Sequence, residues 1–538
     1  MYSTVYTGGL HGMESYLARV EVDASRGLPG FEMVGLLGSE VKEARERIRV
    51  ALKNAEAALP PVRITVNISP ASLHKEGTSY DLPVAVGILV STGMIPQDYV
   101  KDSMIAGELG LSGEIKPVRG ILPMALEAKK QGLKRCIVPL ENLAEAQLVE
   151  GIKILGAGCL IQLIELLQCR DGVTENLLYK DIMYMEKTEK NTDAESMSGN
   201  VAANMERTAD LAETLPDFAD VSGQEGAKRA AVVAAAGFHH LLMIGPPGSG
   251  KTMLARCIPS ILPPLSTQER LEVTKVRSVA GLMEEGTGLL KNRPFISPHH
   301  TVTSRALTGG GQVPRPGLIS LAHRGVLFLD ELTEFKRATL DLLRQPMEER
   351  RVQIARNSGT YVYPSDFMLV AALNPCPCGY YPDRNRCRCT PGEVQRYLNR
   401  VSGPILDRMD IFTEVSRIDF AGLAGENAGT GADSRSLRMQ VMEARARQEA
   451  RYAGTGLRFN SQLGPGEIRK YCRLGLAQQQ YMEQLFHALQ LSARAYHRII
   501  RLARTLADLD GKDTIEQVHL SEAACYRMAD GKYWRKKG

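Results

Sequence analysis

The chain has 538 residues, enough for three or four domains at roughly 150 residues each. Hydrophobic residues make up 44% and charged residues 24%, which excludes a disordered, collagen-like or coiled-coil chain. The net charge of +5 is unevenly spread: Ser434 to Gly538 holds 19 Lys/Arg against 10 Asp/Glu, a net of +9, so the remainder is acidic by four. A basic C-terminal region is either a footprint for a polyanion or a solvated helical surface. No apolar run nears the roughly 18 residues of a membrane span, and the start Met1-Tyr2-Ser3-Thr4 lacks a signal-peptide pattern. The expectation is a cytoplasmic protein, in which ten cysteines serve as thiols or metal ligands rather than disulfides.

In chain order, residues 1–168 alternate strand and helix signals. Ala18 to Val22 alternates with period two, Glu40 to Ala55 has helical spacing, and Arg63 to Ile68 is strand-like again. Asp81 to Leu89, Leu122 to Gly132 and Arg135 to Pro139 continue the mixed pattern. Residues 169–210 include the charged run Glu186 to Asp193 and read as a linker. A second α/β block occupies 211–415. Within 416–538, Ala421 to Asp433 is Gly/Ala-rich, and the residues from Ser434 on form helices. The fold class is therefore multidomain α/β with a helical C-terminal region.

The strongest motif is Gly245-Pro246-Pro247-Gly248-Ser249-Gly250-Lys251-Thr252, between the apolar strand Leu241 to Ile244 and the helix-like run from Met253. This is the phosphate-loop spacing in its strand–loop–helix context. Gly245, Gly248, Ser249 and Gly250 would turn backbone N–H groups toward phosphate, aided by the following helix N-terminus. Lys251 is expected on the β and γ phosphates of ATP, and Thr252 on Mg²⁺. A second apolar strand ends in Asp330-Glu331. Asp330 would hold Mg²⁺ through water, and Glu331 would deprotonate the attacking water.

These residues resemble the AAA+ ATPases. The resemblance implies that Asn374, ending the strand Phe367 to Leu373, is sensor 1. It implies that Arg408 in Leu406-Asp407-Arg408-Met409-Asp410 is an arginine finger acting on a neighbour's ATP in a ring. It also implies that Arg494 in Leu491-Ser492-Ala493-Arg494 is sensor 2, near the phosphates. An insertion with Ser297-Pro298-His299-His300 and Gly309-Gly310-Gly311, plus a hairpin Arg351 to Tyr363 turning at Asn357-Ser358-Gly359, resembles the branch with a helix-2 insertion and a pre-sensor hairpin. That branch includes Mg-chelatase motors and replicative helicases.

With Lys75-Glu76-Gly77-Thr78-Ser79-Tyr80-Asp81-Leu82-Pro83, Leu321-Ala322-His323-Arg324-Gly325 and Ala503 to Leu509, the chain resembles the YifB/ComM family of Mg-chelatase-like ATPases. The resemblance implies a homo-hexameric ring, branch migration of DNA, and recombination proteins as partners in natural transformation. It departs from the family at Leu318, where Glu is expected. The N-terminal domain resembles the proteolytic domain of Lon through Gly113 to Leu122. Ser79 falls near the nucleophile position and Leu122 on the lysine position, so the expectation is a protease fold without protease chemistry. A shifted register would bring in Lys116 or Lys129.

Cys376-Pro377-Cys378 and Cys387-Arg388-Cys389 place four soft ligands within one short loop, suited to tetrahedral Zn²⁺; free thiols or disulfides are the alternatives. Arg384, Arg386 and Arg388 of that loop, and Arg356 near the hairpin tip, are expected DNA phosphate contacts. The alternatives to a DNA translocase are a Mg-chelatase-type motor on a protein partner and an ATP-dependent protease.

Overall fold

A computed structural model describes residues 1–57, 59–168, 216–284, 286, 288–356, 359–417 and 432–534. The linker expected at 169–210, most of the loop at 421–433 and the turn residues Asn357 and Ser358 lie outside the described residues. Among the described residues no helix is long and apolar enough to cross a membrane.

The N-terminal region is a seven-stranded mixed sheet ordered Gly30–Val34, Arg63–Ser69, Glu14–Ser25, Tyr2–His11, Ser103–Ile105, Arg135–Pro139, Lys153–Ala157. The long hairpin Tyr2–His11 with Glu14–Ser25 is antiparallel, whereas the last three strands run parallel. The helix Asp81–Ser91 is buried along its whole length. Its sequence is apolar all round, so it can only be an interior helix. Its one acid, Asp81, is held by Arg47 at 2.9 Å.

The second region is a five-stranded, all-parallel sheet ordered Phe295–Ile296, Val326–Leu329, Met368–Leu373, Leu241–Ile244, Ile411–Glu414. The three central strands are buried throughout and read as unbroken apolar runs, as sheets covered on both faces must. Register pairs Ile244 with Leu373 and Leu329 with Ala371. The loops after all three strands therefore emerge at one edge, the carboxyl edge at which such sheets bind ligands.

After residue 431 the chain is helical. Ser434–Tyr452, Ala493–Leu509 and Gln517–Tyr533 pack on one another and on the helices flanking the parallel sheet. Charge counting overstates how basic this surface is. Arg445, Arg498, Arg504 and Arg527 are buried, and Arg451 pairs with Asp508 at 2.5 Å. Net charge cannot distinguish an arginine that braces helices from one that faces solvent.

The two α/β regions touch. Gly120 N donates to Ser278 O at 3.0 Å, and Ser278 Oγ donates to the buried Glu145 carboxylate, which also accepts from Leu122 N at 2.9 Å. The His11 ring lies 4.6 Å from that of Tyr361.

Candidate active site

The loop after Leu241–Ile244 ends at Gly250, whose φ of +87° caps the helix Lys251–Ile261. Gly248 also has a positive φ, +72°. A methyl group at either would meet nothing within 4 Å, so a cradle of open space faces the backbone here. Ser249 Oγ is buried without a hydrogen-bond partner. An empty cradle, an orphaned hydroxyl and a helix N-terminus together fit a phosphate chain.

The side chains around the cradle converge. Lys251 Nζ donates to Gly245 O and Pro246 O, both at 2.8 Å, and to Asn374 Oδ1 at 3.2 Å. Burial pushes its ammonium down to about 8, against the pull of Asp330 and Glu331. A buried ammonium held by neutral oxygens is short of counter-charge, which phosphate oxygens would supply. Thr252 Oγ1 donates to Asp330 Oδ2 at 2.7 Å. Thr252 and Asp330 are the pair that would hold Mg²⁺, directly and through water.

Glu331 is well exposed and lies 3.8 Å from His300 Nδ1. Its φ is +51°, a left-handed conformation that is uncommon for a residue with a side chain. The backbone bends at the one carboxylate expected to act as a base. Neither the bend nor His300 was visible in sequence, where His299-His300 read as loop residues.

Arg408 and Arg494 do not approach Lys251. Both line a groove of about 340 Å³ that includes no phosphate-loop residue. Arg408 pairs with Glu348 there and donates to Pro404 O at 2.7 Å. Arg494 is exposed at the start of Ala493–Leu509. That helix is anchored beside the Arg408 segment, where Arg498 and Arg527 both donate to Met409 O, at 2.8 and 2.7 Å.

Cys376, Cys378, Cys387 and Cys389 bring their sulfurs within 4.8 Å of one another and could hold a metal ion. No disulfide joins them.

Comparison with known proteins agrees with this geometry. The family described as magnesium chelatase, subunit ChlI, matches residues 217–423, a second, described as subunit ChlI of Mg-chelatase, matches 20–142, and a third, described as magnesium chelatase, subunit ChlI C-terminal, matches 431–527. YifB of Escherichia coli K12 is 40% identical over 98% of this chain and 97% of its own length. Competence protein ComM of Haemophilus influenzae is 40% identical over 97% of both chains. The chain belongs to the YifB/ComM family of magnesium-chelatase-like proteins. A magnesium-chelatase 67 kDa subunit of Chlorobaculum parvum is more distant, 29% identical over 29% of this chain and 23% of its own.

In this YifB/ComM chain the expected DNA contacts are scattered. Arg351–Arg356 and Gly359–Pro364 form the hairpin, with Val352, Ile354, Tyr361 and Tyr363 buried on one face and Arg356 exposed. Glu348 and Glu349 are taken by Arg408 and Arg351, so neither pairs with Arg356. Arg384 donates to Cys389 O at 3.1 Å and stacks over Tyr381, Arg386 lies 3.9 Å from Asp383, and Arg388 is exposed. Leu318 opens the helix Leu318–Leu321 and packs on the apolar cluster beside the sheet.

Ser79 lines a cavity of about 600 Å³ between the N-terminal region and Ser278, Arg315 and Tyr361 of the second region. Among the described residues no lysine or histidine lines that cavity, and Lys116 and Lys129 are exposed elsewhere. Leu122 is buried at the start of Ile121–Lys130.

Proposed function

We propose that this chain is a Mg²⁺-dependent ATPase that assembles as a homo-hexameric ring and moves along single-stranded or branched DNA. The observation that carries it is the meeting of Lys251, Thr252, Asp330 and Asn374 at one sheet edge around an open phosphate cradle. Lys251 would exchange its carbonyl partners for β and γ phosphate oxygens. Mg²⁺, when bound, neutralises phosphate charge as it develops. Glu331, exposed on its bent backbone, takes the proton of the attacking water.

The ring reading rests on the groove. Arg408 and Arg494 share a cavity remote from Lys251, so each serves a nucleotide only if another copy brings one there. Arg408 then acts as an arginine finger in trans, exchanging Glu348 for γ-phosphate. On this reading 1–168 is a Lon-type domain without protease chemistry, 169–210 a linker, 211–415 the AAA+ core with its helix-2 insertion and pre-sensor hairpin, and 416–538 the lid. Arg356, Arg384, Arg386 and Arg388 contact DNA phosphates, and four cysteines bind Zn²⁺.

The role named for the Haemophilus relative, competence, fits such a motor working with recombination proteins. The test is ATP hydrolysis with and without single-stranded or branched DNA, followed by branch migration. Hydrolysis that DNA does not stimulate, from a protein that does not bind DNA in low salt, would instead favour a motor acting on a protein partner. The matching magnesium-chelatase descriptions support that second reading.

A further inference from the structure

The four-cysteine loop is not an appendage. It leaves the sheet at Asn374, the residue that accepts from Lys251, and two residues later reaches Cys376. The Sγ atoms of Cys376, Cys378 and Cys387 are separated by 3.3, 3.8 and 3.6 Å, and all four sulfurs lie within 4.8 Å. Four thiolates around Zn²⁺ at ~2.3 Å would sit roughly 3.8 Å apart, so the sulfurs already stand near the corners of a metal tetrahedron. Tyr381 N points at Cys376 Sγ, 3.4 Å away, the kind of donor that orients a ligating thiolate.

The same loop presses on the phosphate loop. Gly379 N donates to Cys376 O at 2.9 Å, closing a tight turn. Gly379 has a φ of +86°, and a methyl group there would lie 2.4 Å from Cδ of Pro247. Backbone of the cysteine turn therefore lies flat on Pro247, in the middle of the cradle. On its far side the loop meets the C-terminal helix, where the rings of Tyr381 and Tyr533 are 6.2 Å apart.

We propose that a Zn²⁺ ion held by Cys376, Cys378, Cys387 and Cys389 sets ATP affinity, by fixing the Gly379 turn against Pro247 and so holding the phosphate loop open for nucleotide. This rests on the reading of that loop as an ATP site. Four sulfurs without metal are joined only by weak thiol contacts, and a loop released from its closure regains conformational freedom. The turn then no longer defines one wall of the cradle.

The experiment uses the full chain, purified without chelator. Elemental analysis should find one Zn²⁺ per chain, and exchange for Co²⁺ should give thiolate-to-metal charge-transfer absorption that Cys378→Ser weakens. Affinity for a non-hydrolysable ATP analogue should fall about tenfold when a chelator strips the metal, the scale of losing a positioning shell, and return when Zn²⁺ is restored. Circular dichroism of the stripped chain shows whether it remains folded. Gly379→Ala gives a second reading without metal loss: Zn²⁺ stays at one per chain while analogue affinity drops by a similar factor. A folded chain that carries no metal and shows no Co²⁺ spectrum overturns the site. Unchanged analogue affinity on stripping, or in a metal-loaded Gly379→Ala chain, overturns the coupling. A zinc-loaded wild-type chain that binds no analogue at all overturns the ATPase reading and the coupling with it, while the metal stoichiometry stands.

Discussion

At the phosphate loop an ammonium donates to an amide and a hydroxyl donates to a carboxylate beside open space. Beneath the N-terminal domain, Ser79 faces a cavity of about 600 Å³ with Thr78, Glu108 and Glu145 on its walls. Both are sockets built from buried sheets, and both contain a serine. In the first, Lys251 meets Asn374 and Thr252 meets Asp330, while the Ser249 hydroxyl is left without a partner. In the second, among the described residues, the serine shares its wall with carboxylates and Arg119, and Leu122 packs into the core. A serine hydroxyl without an adjacent base is a weak nucleophile. The difference teaches that function must be argued from the groups that meet, not from the presence of a cavity.

The sharpest way to break this contrast is to test whether the phosphate-loop site needs a neighbour. Arg408→Ala should lower ATP hydrolysis by about 10³-fold, the scale of a removed arginine finger. Mixing it with Lys251→Ala chains should restore part of the activity, since some interfaces then hold an intact loop and an intact arginine. A steady-state assay across mixing ratios reads this, and wild-type turnover by Arg408→Ala alone would end the trans argument.

Next in size is the base. Glu331→Gln keeps the size of the side chain and removes its basicity, so hydrolysis should fall by about 10²-fold or more while ATP stays bound. Retention of labelled ATP on a filter separates this from loss of binding. An unchanged rate would move the base elsewhere, with His300 at 3.8 Å the first group to examine.

Acid should divide the two regions by sign. In the ATPase core, burial pushes His240 down to about 4, and its Nδ1 accepts from Leu369 N at 3.0 Å. A lowered imidazole contributes stability that is complete above pH 6.5 and lost as pH falls toward 4, worth about 3 kcal/mol at most. In the N-terminal domain, burial raises the carboxyls of Asp81 and Glu145. Raised carboxyls act oppositely: their contribution is complete at low pH and lost as pH rises through their folded values. Scanning calorimetry at pH 7 and pH 4.5 should show the core transition moving down further than the N-terminal one. Equal shifts would mean that the two regions unfold as one unit.

The phosphate loop was legible in sequence because its eight residues are contiguous and the strand and helix around them are local patterns. Asp330 and Asn374 were legible because each ends an apolar strand. The strand through Ala18 to Val22, the Ser39–Asn54 helix and the Ile121–Lys130 helix appeared where periodicity placed them, whereas the first strand, Tyr2–His11, and its hairpin did not announce themselves. What escaped was tertiary. Arg494 lies in the groove of Arg408 because helix Ala493–Leu509 is pinned at Met409 O, a contact spanning 89 residues. The press of Gly379 on Pro247 joins segments over a hundred residues apart, and no local spacing encodes it. The +9 count misled because buried arginines count the same as exposed ones.

The smallest expected effect is the one that tests the contrast from the other side. Ser79 is 8% exposed, and only its backbone carbonyl is engaged, accepting from Gly107 N at 3.1 Å. Replacing the side chain with Ala removes one hydroxyl, leaves that backbone bond in place and opens no large void. Ser79→Ala should therefore shift stability by no more than about 0.5 kcal/mol, because it takes one hydroxyl from a cavity wall and breaks no cap or charge network. ATP hydrolysis and DNA stimulation should match wild type. Peptide hydrolysis should be absent from both proteins, because among the described residues no lysine or histidine reaches the cavity to take the serine proton. The assay is a panel of fluorogenic peptides with ATP present, run beside the ATPase measurement. Cleavage by wild type that disappears in Ser79→Ala would show that a base enters the cavity from another copy in the ring, and the N-terminal socket would then have to be treated as a second active site.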